Sequence, residues 1–183
     1  MESALIGLLG VIVGSALATL KDWWLARYKM TVDGRHLSLL AAFMLERYVQ
    51  QCAEVAMDSG EEDQDGMINS TTKTPTLNPG SIVGDWRTIP VELTNALFDL
   101  QLEEEATDRR VSNEFEYAAT PPDYSEWFEE RQYGYAILGI AGHELANRFR
   151  EYAGLPARAK REWPLGKMLG RKEATERMRR ERP

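Results

Sequence analysis

Cysteine is almost absent from this chain: Cys52 stands alone. One thiol closes no internal disulfide and supplies no paired-cysteine zinc site, so a disulfide scaffold and a zinc ribbon are both excluded. Histidine is nearly as scarce. Only His36 and His143 occur, and Ile140 stands three residues before the latter, so a di-iron bundle centre, which needs two Glu-x-x-His pairs, is ruled out. His143-Glu144 begins like a zincin helix, yet the fifth position is Asn147, so the second ligand of H-E-x-x-H is missing. Gly80-Ser81-Ile82-Val83-Gly84 places its serine wrongly for a nucleophile elbow. Neither a phosphate-binding P-loop nor a dinucleotide glycine fingerprint occurs. No cofactor and no metal is implied, and these absences argue against an enzyme.

Charge is missing from one long stretch. Ser3 to Leu20 is eighteen residues without Asp, Glu, Lys or Arg. As a helix it spans about 27 Å at ~1.5 Å per residue, close to the ~30 Å hydrocarbon thickness of a bilayer. Lys21 can snorkel beside it, and Trp23, Trp24 and Tyr28 suit a water–lipid interface. A cleaved signal peptide competes with this reading through Ala16-Leu17-Ala18, but Met1-Glu2-Ser3 lacks the positive n-region. A buried core helix competes too, though such helices are usually shorter. The stretch is therefore expected to be a single transmembrane anchor. Lys21, Arg27, Lys29 and Arg35 follow it and no basic residue precedes it, which puts the N-terminus outside and the body in the cytoplasm. The bilayer meant is the cell inner membrane. Gly7, Gly10, Gly14 and Ala18 fall in one helical neighbourhood, a small-residue face fit for self-association in lipid.

The remainder reads as helix. Asp33-Gly34 is expected to turn the chain, and the anchor with its juxtamembrane helix is assigned to residues 1–30. Leu37, Leu40, Ala41, Met44, Leu45, Tyr48, Val49, Cys52 and Val55 then recur at three- and four-residue steps, an amphipathic helix over 35–57 with Cys52 inward. Residues 58–88 are acidic, then rich in Pro and Gly, and are expected to be a long solvated loop. Their Asp/Glu order does not match a calcium loop. Two short helices are expected at 90–104 and 108–118, with Val111, Phe115 and Ala118 inward. Pro121-Pro122 and a capping Asp123 with Glu126 open a last helix, which Gly154-Leu155-Pro156 ends. The fold class is all-α: a transmembrane helix, then a small irregular antiparallel bundle over residues 31–155 with a long acidic loop, then a basic tail over 156–183.

The formal charge of −7 conceals an asymmetry. Residues 156–183 hold ten Lys/Arg and four Glu, a net of +6, which leaves −13 on residues 1–155. Arg171, Lys172, Arg177, Arg179 and Arg180 are candidate contacts to an anionic surface such as lipid headgroups. A fold-back onto the acidic body and a free solvated terminus are the other outcomes, and nucleic acid is a weaker candidate because no binding fold surrounds the tail. Glu126, Glu129, Glu130 and Arg131 stand among Trp127, Phe128, Tyr133 and Tyr135. Such a pattern is usually core aromatics beside solvated charges, and alternatively an acidic-aromatic docking surface for a protein partner.

The opening MESALIGLLGVIVG, the triplet Asp85-Trp86-Arg87 and the word PPDYSEWFEERQYGYAILG resemble a bacterial family of short proteins with an N-terminal span and a helical cytosolic part. The resemblance leaves out the acidic loop and the tail. It implies the architecture and no activity. The function expected is a non-enzymatic, single-pass membrane scaffold that docks an unknown cytosolic protein; the alternative is a holin-like or toxin-like effector that perturbs the membrane by helix oligomerisation.

Overall fold

The apolar stripe expected over residues 35–57 is present, but on a far longer element. In the computed structural model of the chain, helix α1 runs unbroken from Glu2 to Met57. The structure describes residues 2–117, 120–159 and 162–181, without the side chains of residues 2–14, Ala16, Ala18 and Glu162. The small-residue face of Gly7, Gly10, Gly14 and Ala18 thus lies outside the described side chains, and Ala118, Lys160, Arg161 and Arg182 lie outside the described residues.

Asp33-Gly34 does not turn the chain; both residues are helical. One glycine costs a helix interior only about 1 kcal/mol relative to alanine, too little to break a helix packed along its C-terminal half. Gly34 instead makes room for a neighbour. A Cβ there would meet the Thr88 carbonyl oxygen at 2.5 Å, and Tyr152 donates its hydroxyl to that same oxygen at 2.9 Å. Among the described side chains, burial on α1 begins at Gly34. Before it, the described side chains are exposed, among them Leu17, Leu20, Trp23, Trp24, Leu25, Tyr28, Met30 and Val32. Among the described residues no helix is long and apolar enough to cross a membrane. Most of the charge-free stretch falls in residues 3–14, whose side chains are not described.

Helices α2 (Val91–Tyr117) and α3 (Ser125–Ala153) complete the central layer. The two short helices expected before residue 118 are one, because no Gly or Pro interrupts Val91–Tyr117. Helix α3 lies antiparallel to α1: Arg131 near its start meets Asp58 just past α1, while Ser38 donates to the Phe149 carbonyl at 2.8 Å near its end. It also runs antiparallel to α2, with Gly134 against Thr107 and Gly142 against Leu100. Leu45, Cys52, Leu97, Tyr135 and Phe149 fill the core between the three. Phe115 was expected inward and is 51% exposed; it belongs to an aromatic wall described below. The α3 start also differs, since Tyr124, not Asp123, is the N-cap, in left-handed backbone (φ 49°) with no side-chain cap. The stop is as expected: Gly154 takes φ 82° and its N–H meets the Arg150 and Glu151 carbonyls.

Residues 58–88 are not the solvated loop their composition suggests. Strands β1 (Glu61–Glu62) and β2 (Ile68–Asn69) pair antiparallel around a turn that Asp63 closes, accepting from the N–H groups of Asp65 and Met67 and from Asn69 Nδ2. Further on, Leu77 plugs into the core. Short 3-10 turns follow at Pro79–Ser81 and Trp86–Thr88, the second held by Asp85 at its N-cap.

The basic tail is folded too. After α3 the chain is pinned by Glu46, which takes Arg150 at 2.8 Å and Arg158 at 2.9 Å. An irregular turn over Glu162–Gly166 leads into helix α4 (Lys167–Glu181). Met168 packs where Gly139 and Cys52 leave space, and Arg179 reaches Glu129 and Glu130, so α4 returns along α3. Among the described residues, Lys167–Glu181 thus packs against the body.

Gly34→Ala tests the continuous helix. In an exposed helix this change stabilises by up to about 1 kcal/mol. Here the added methyl meets backbone, and a loss of about 1–3 kcal/mol in urea unfolding is expected.

Candidate functional site

Asp58 stands just past the end of α1, and a buried polar network converges on it. Its carboxylate accepts from Thr71 and Thr72, through both backbone N–H and hydroxyl, and from the Gly60 N–H at 3.0 Å. Arg131 donates to it at 3.0 Å, and its other nitrogen reaches the Thr72 carbonyl and hydroxyl. Gln132 closes the set on the Asp58 carbonyl at 2.6 Å. The pair is fully enclosed, with 2% of the Arg131 side chain and 1% of the Asp58 side chain exposed. Burial pushes the Asp58 carboxyl up, but the Thr72 and Thr71 hydrogen bonds outweigh it and hold the group well below the usual carboxylate range. Gly60 enables the turn: its φ is 75°, and a Cβ would strike Ile68 and Phe128.

This knot fixes one wall of a groove of about 870 Å³. Asp63 to Thr74 form one side, tied to the start of α3 by the Ile68 N–H on the Pro122 carbonyl at 3.0 Å. Asp108, Val111, Ser112, Phe115 and Glu116 of α2 form the other, and Tyr124, Trp127 and Arg131 line the α3 end. Phe115 stacks on Tyr124 at 5.5 Å between centroids and meets Trp127 edge-on at 5.6 Å, making a continuous aromatic wall. The Arg131 guanidinium lies 5.5 Å from the Trp127 ring. Left-handed Tyr124 costs about 1 kcal/mol or more of backbone strain, and that conformation presents its ring to Phe115.

Beside the groove, Glu114, Glu126, Glu129 and Glu130 form an acidic notch that Arg179 of α4 enters. Arg179 lies 3.1 Å from Glu129 and 2.7 Å from Glu130, with its guanidinium 4.4 Å from the Tyr133 ring. Of the acidic-aromatic surface expected around residues 126–135, Glu129 and Glu130 thus meet the chain's own tail, Phe128 and Tyr135 are core, and Trp127 faces the groove. The tail candidates are not gathered on one face toward an anion. Lys172 pairs with Glu176 at 3.8 Å, Arg180 donates to the Glu176 carbonyl, Arg171 lines a cleft against α3, and Arg177 is exposed. Sequence reasoning missed the groove because its three walls come from residues far apart in the chain. No local signal marked it, since Phe115 keeps helical spacing with the inward Val111.

Inside the bundle, Glu104 receives the Leu77 N–H on both oxygens, at 2.9 and 3.1 Å. Burial, only partly offset by that bond, pushes its carboxyl up to about 7. Tyr135 donates to Asp108 at the groove floor, and burial raises its phenol. Burial likewise raises the Cys52 thiol, which suits packing rather than nucleophilic attack. Among the described residues no group of three or more His, Cys, Asp or Glu is placed to hold a metal ion. No family model, curated protein or solved structure matches the chain.

Two outcomes follow. Asp58→Ala leaves Arg131 buried and unpaired, so a loss of about 3–5 kcal/mol is expected in denaturant unfolding. Because the folded Asp58 carboxyl ionises below its ordinary 3.8, its contribution is present above pH 3.8 and fades as pH falls. Glu104 has the opposite sign. Its folded value near 7 exceeds the ordinary 4.5, so its contribution is complete below pH 4.5 and lost as pH rises through 7. Glu104→Gln is expected to flatten the fall in stability over that window, by roughly 2 kcal/mol, when melts are compared across pH.

Proposed function

We propose that this chain is a single-pass, membrane-anchored docking protein without enzymatic activity, its N-terminus outside and its body in the cytoplasm beneath the inner membrane. One observation carries the reading: the charge-free stretch Ser3–Leu20 continues without a break into the packed half of the same helix. Just past it, Trp23, Trp24 and Tyr28 are 58%, 63% and 62% exposed on the unpacked rod. Free water is a poor solvent for such rings, and the headgroup region is a good one. The ordered body, with its enclosed ion pair and groove, favours docking over lesion formation, which needs only the anchor.

The length of α1 supports an arrangement of the parts along one axis. From Leu20 to Met57 a straight helix covers about 55 Å at 1.5 Å per residue. The groove and the docked end of α4 lie at the far end, so Arg171, Lys172, Arg177, Arg179 and Arg180 are directed away from the bilayer that α1 enters while α4 stays docked.

The full chain is expected to sediment with membranes and resist alkaline carbonate extraction. Val11→Lys with Val13→Lys is expected to move most of it to the supernatant, since a lysine at the centre of a span costs about 2.5–3.5 kcal/mol. Wild-type protein recovered in the soluble fraction without detergent contradicts the anchor.

A further inference from the structure

We infer that the groove between residues 63–74, α2 and α3 takes an arginine- or lysine-bearing segment of a soluble protein partner. The inference rests on the docking reading and names the chemistry of the partner.

Its first support is charge. Three carboxylates, Asp63, Asp108 and Glu116, line the groove. Among the described lining residues Arg131 is the one cation, and Asp58 already matches it at 3.0 Å. The field in the cleft is therefore negative, and walls of low dielectric focus it. Nucleic acid and anionic headgroups are repelled by such a surface; a basic side chain is drawn in.

The second support is the aromatic wall of Phe115, Tyr124 and Trp127. A guanidinium or ammonium gains about 0.5–2 kcal/mol over an aromatic face, more as water leaves. The volume of about 870 Å³ accommodates more than a single ion.

The third is a contact the molecule already makes. Next to the groove on the same helix, Arg179 bridges Glu129 and Glu130 while its guanidinium lies over the Tyr133 ring. The chain thus recognises its own basic helix by carboxylates plus an aromatic face, and the groove offers the same combination with no α4 residue among its lining. Position supplies the last support. The groove lies beyond Met57, whose helix runs about 55 Å from Leu20, within reach of soluble partners rather than lipid.

The test uses the full chain in lipid nanodiscs and two fluorescein-labelled probes, the peptides Gly-Arg-Trp-Arg-Gly and Gly-Glu-Trp-Glu-Gly, read by anisotropy. The basic peptide is expected to bind and the acidic one not. Ser112→Arg and Glu116→Lys, both at exposed positions on α2 and compatible with helix, are expected to weaken binding by about tenfold or more, whereas Glu92→Lys at the other end of α2 leaves it within about twofold. Circular dichroism confirms that each variant is folded. No binding of the basic peptide, an equal loss in Glu92→Lys, or preference for a single-stranded oligonucleotide overturns the inference. A chain that stays in the membrane pellet but ignores the peptide overturns this inference alone. One that binds the peptide without pelleting overturns the anchor and leaves the groove's chemistry standing.

Discussion

One enclosed ion pair joins the distant parts of this molecule. Asp58 ends the long first helix, Arg131 sits two turns into α3, and between them hang Thr71 and Thr72 of the intervening loop. Taking two charges out of water is costly, and their attraction repays it only when the remaining hydrogen-bonding capacity is also filled. Here it is: the carboxylate accepts from Gly60, Thr71, Thr72 and Arg131, and the guanidinium also reaches the Thr72 carbonyl. Such a network says less about net stability than about uniqueness, because a shift of register in α1, α3 or the loop strands a charge. The groove depends on it. Without the knot, residues 63–74 lose their hold at Thr71 and Thr72 and keep the tie of Ile68 to Pro122.

That dependence explains which parts of the fold were legible in the sequence. Periodicity read the buried face of α1 from Leu37 to Val55, except at Leu40, which is exposed, and Gly154 marked the end of α3, because both signals are local. The failures share a cause of the opposite kind. Asp33-Gly34 looked like a turn, yet Gly34 is small so that the Thr88 carbonyl can approach α1. The acidic run after Met57 looked disordered, yet Asp58 is satisfied by residues 13, 14 and 73 positions away, and Asp63 organises its own turn. Composition cannot register a partner that far along the chain. The tail left an anionic surface, a fold-back and a free terminus open; α4 folds back, with Met168 against α3 and Arg179 on Glu129 and Glu130.

The candidate site was legible only in fragments. The cluster around Trp127 and the glutamates was visible as an acidic-aromatic word, but not its division into core (Phe128, Tyr135), tail contact (Glu129, Glu130) and open wall (Trp127). Helical spacing alone cannot make that division, because it needs the positions of α2 and α4. Phe115 shows the same limit: its spacing with Val111 pointed inward, and the chain uses it as the outer ring of the groove. The sequence is apolar at the N-terminal end of α1, and the surface is acidic and aromatic at the far end of the bundle.

We propose that one continuous helix holds the groove far from a bilayer that its other end enters. Site-directed spin labelling of the full chain in nanodiscs measures this directly, with Cys52 replaced by Ala and single cysteines placed at Val13 and Ser112. The account predicts that the label at 13 relaxes with oxygen and is shielded from a water-soluble nickel chelate, while the label at 112 does the reverse and ignores nickel-bearing lipid headgroups. Equal chelate access at both positions, or headgroup contact at 112, contradicts it.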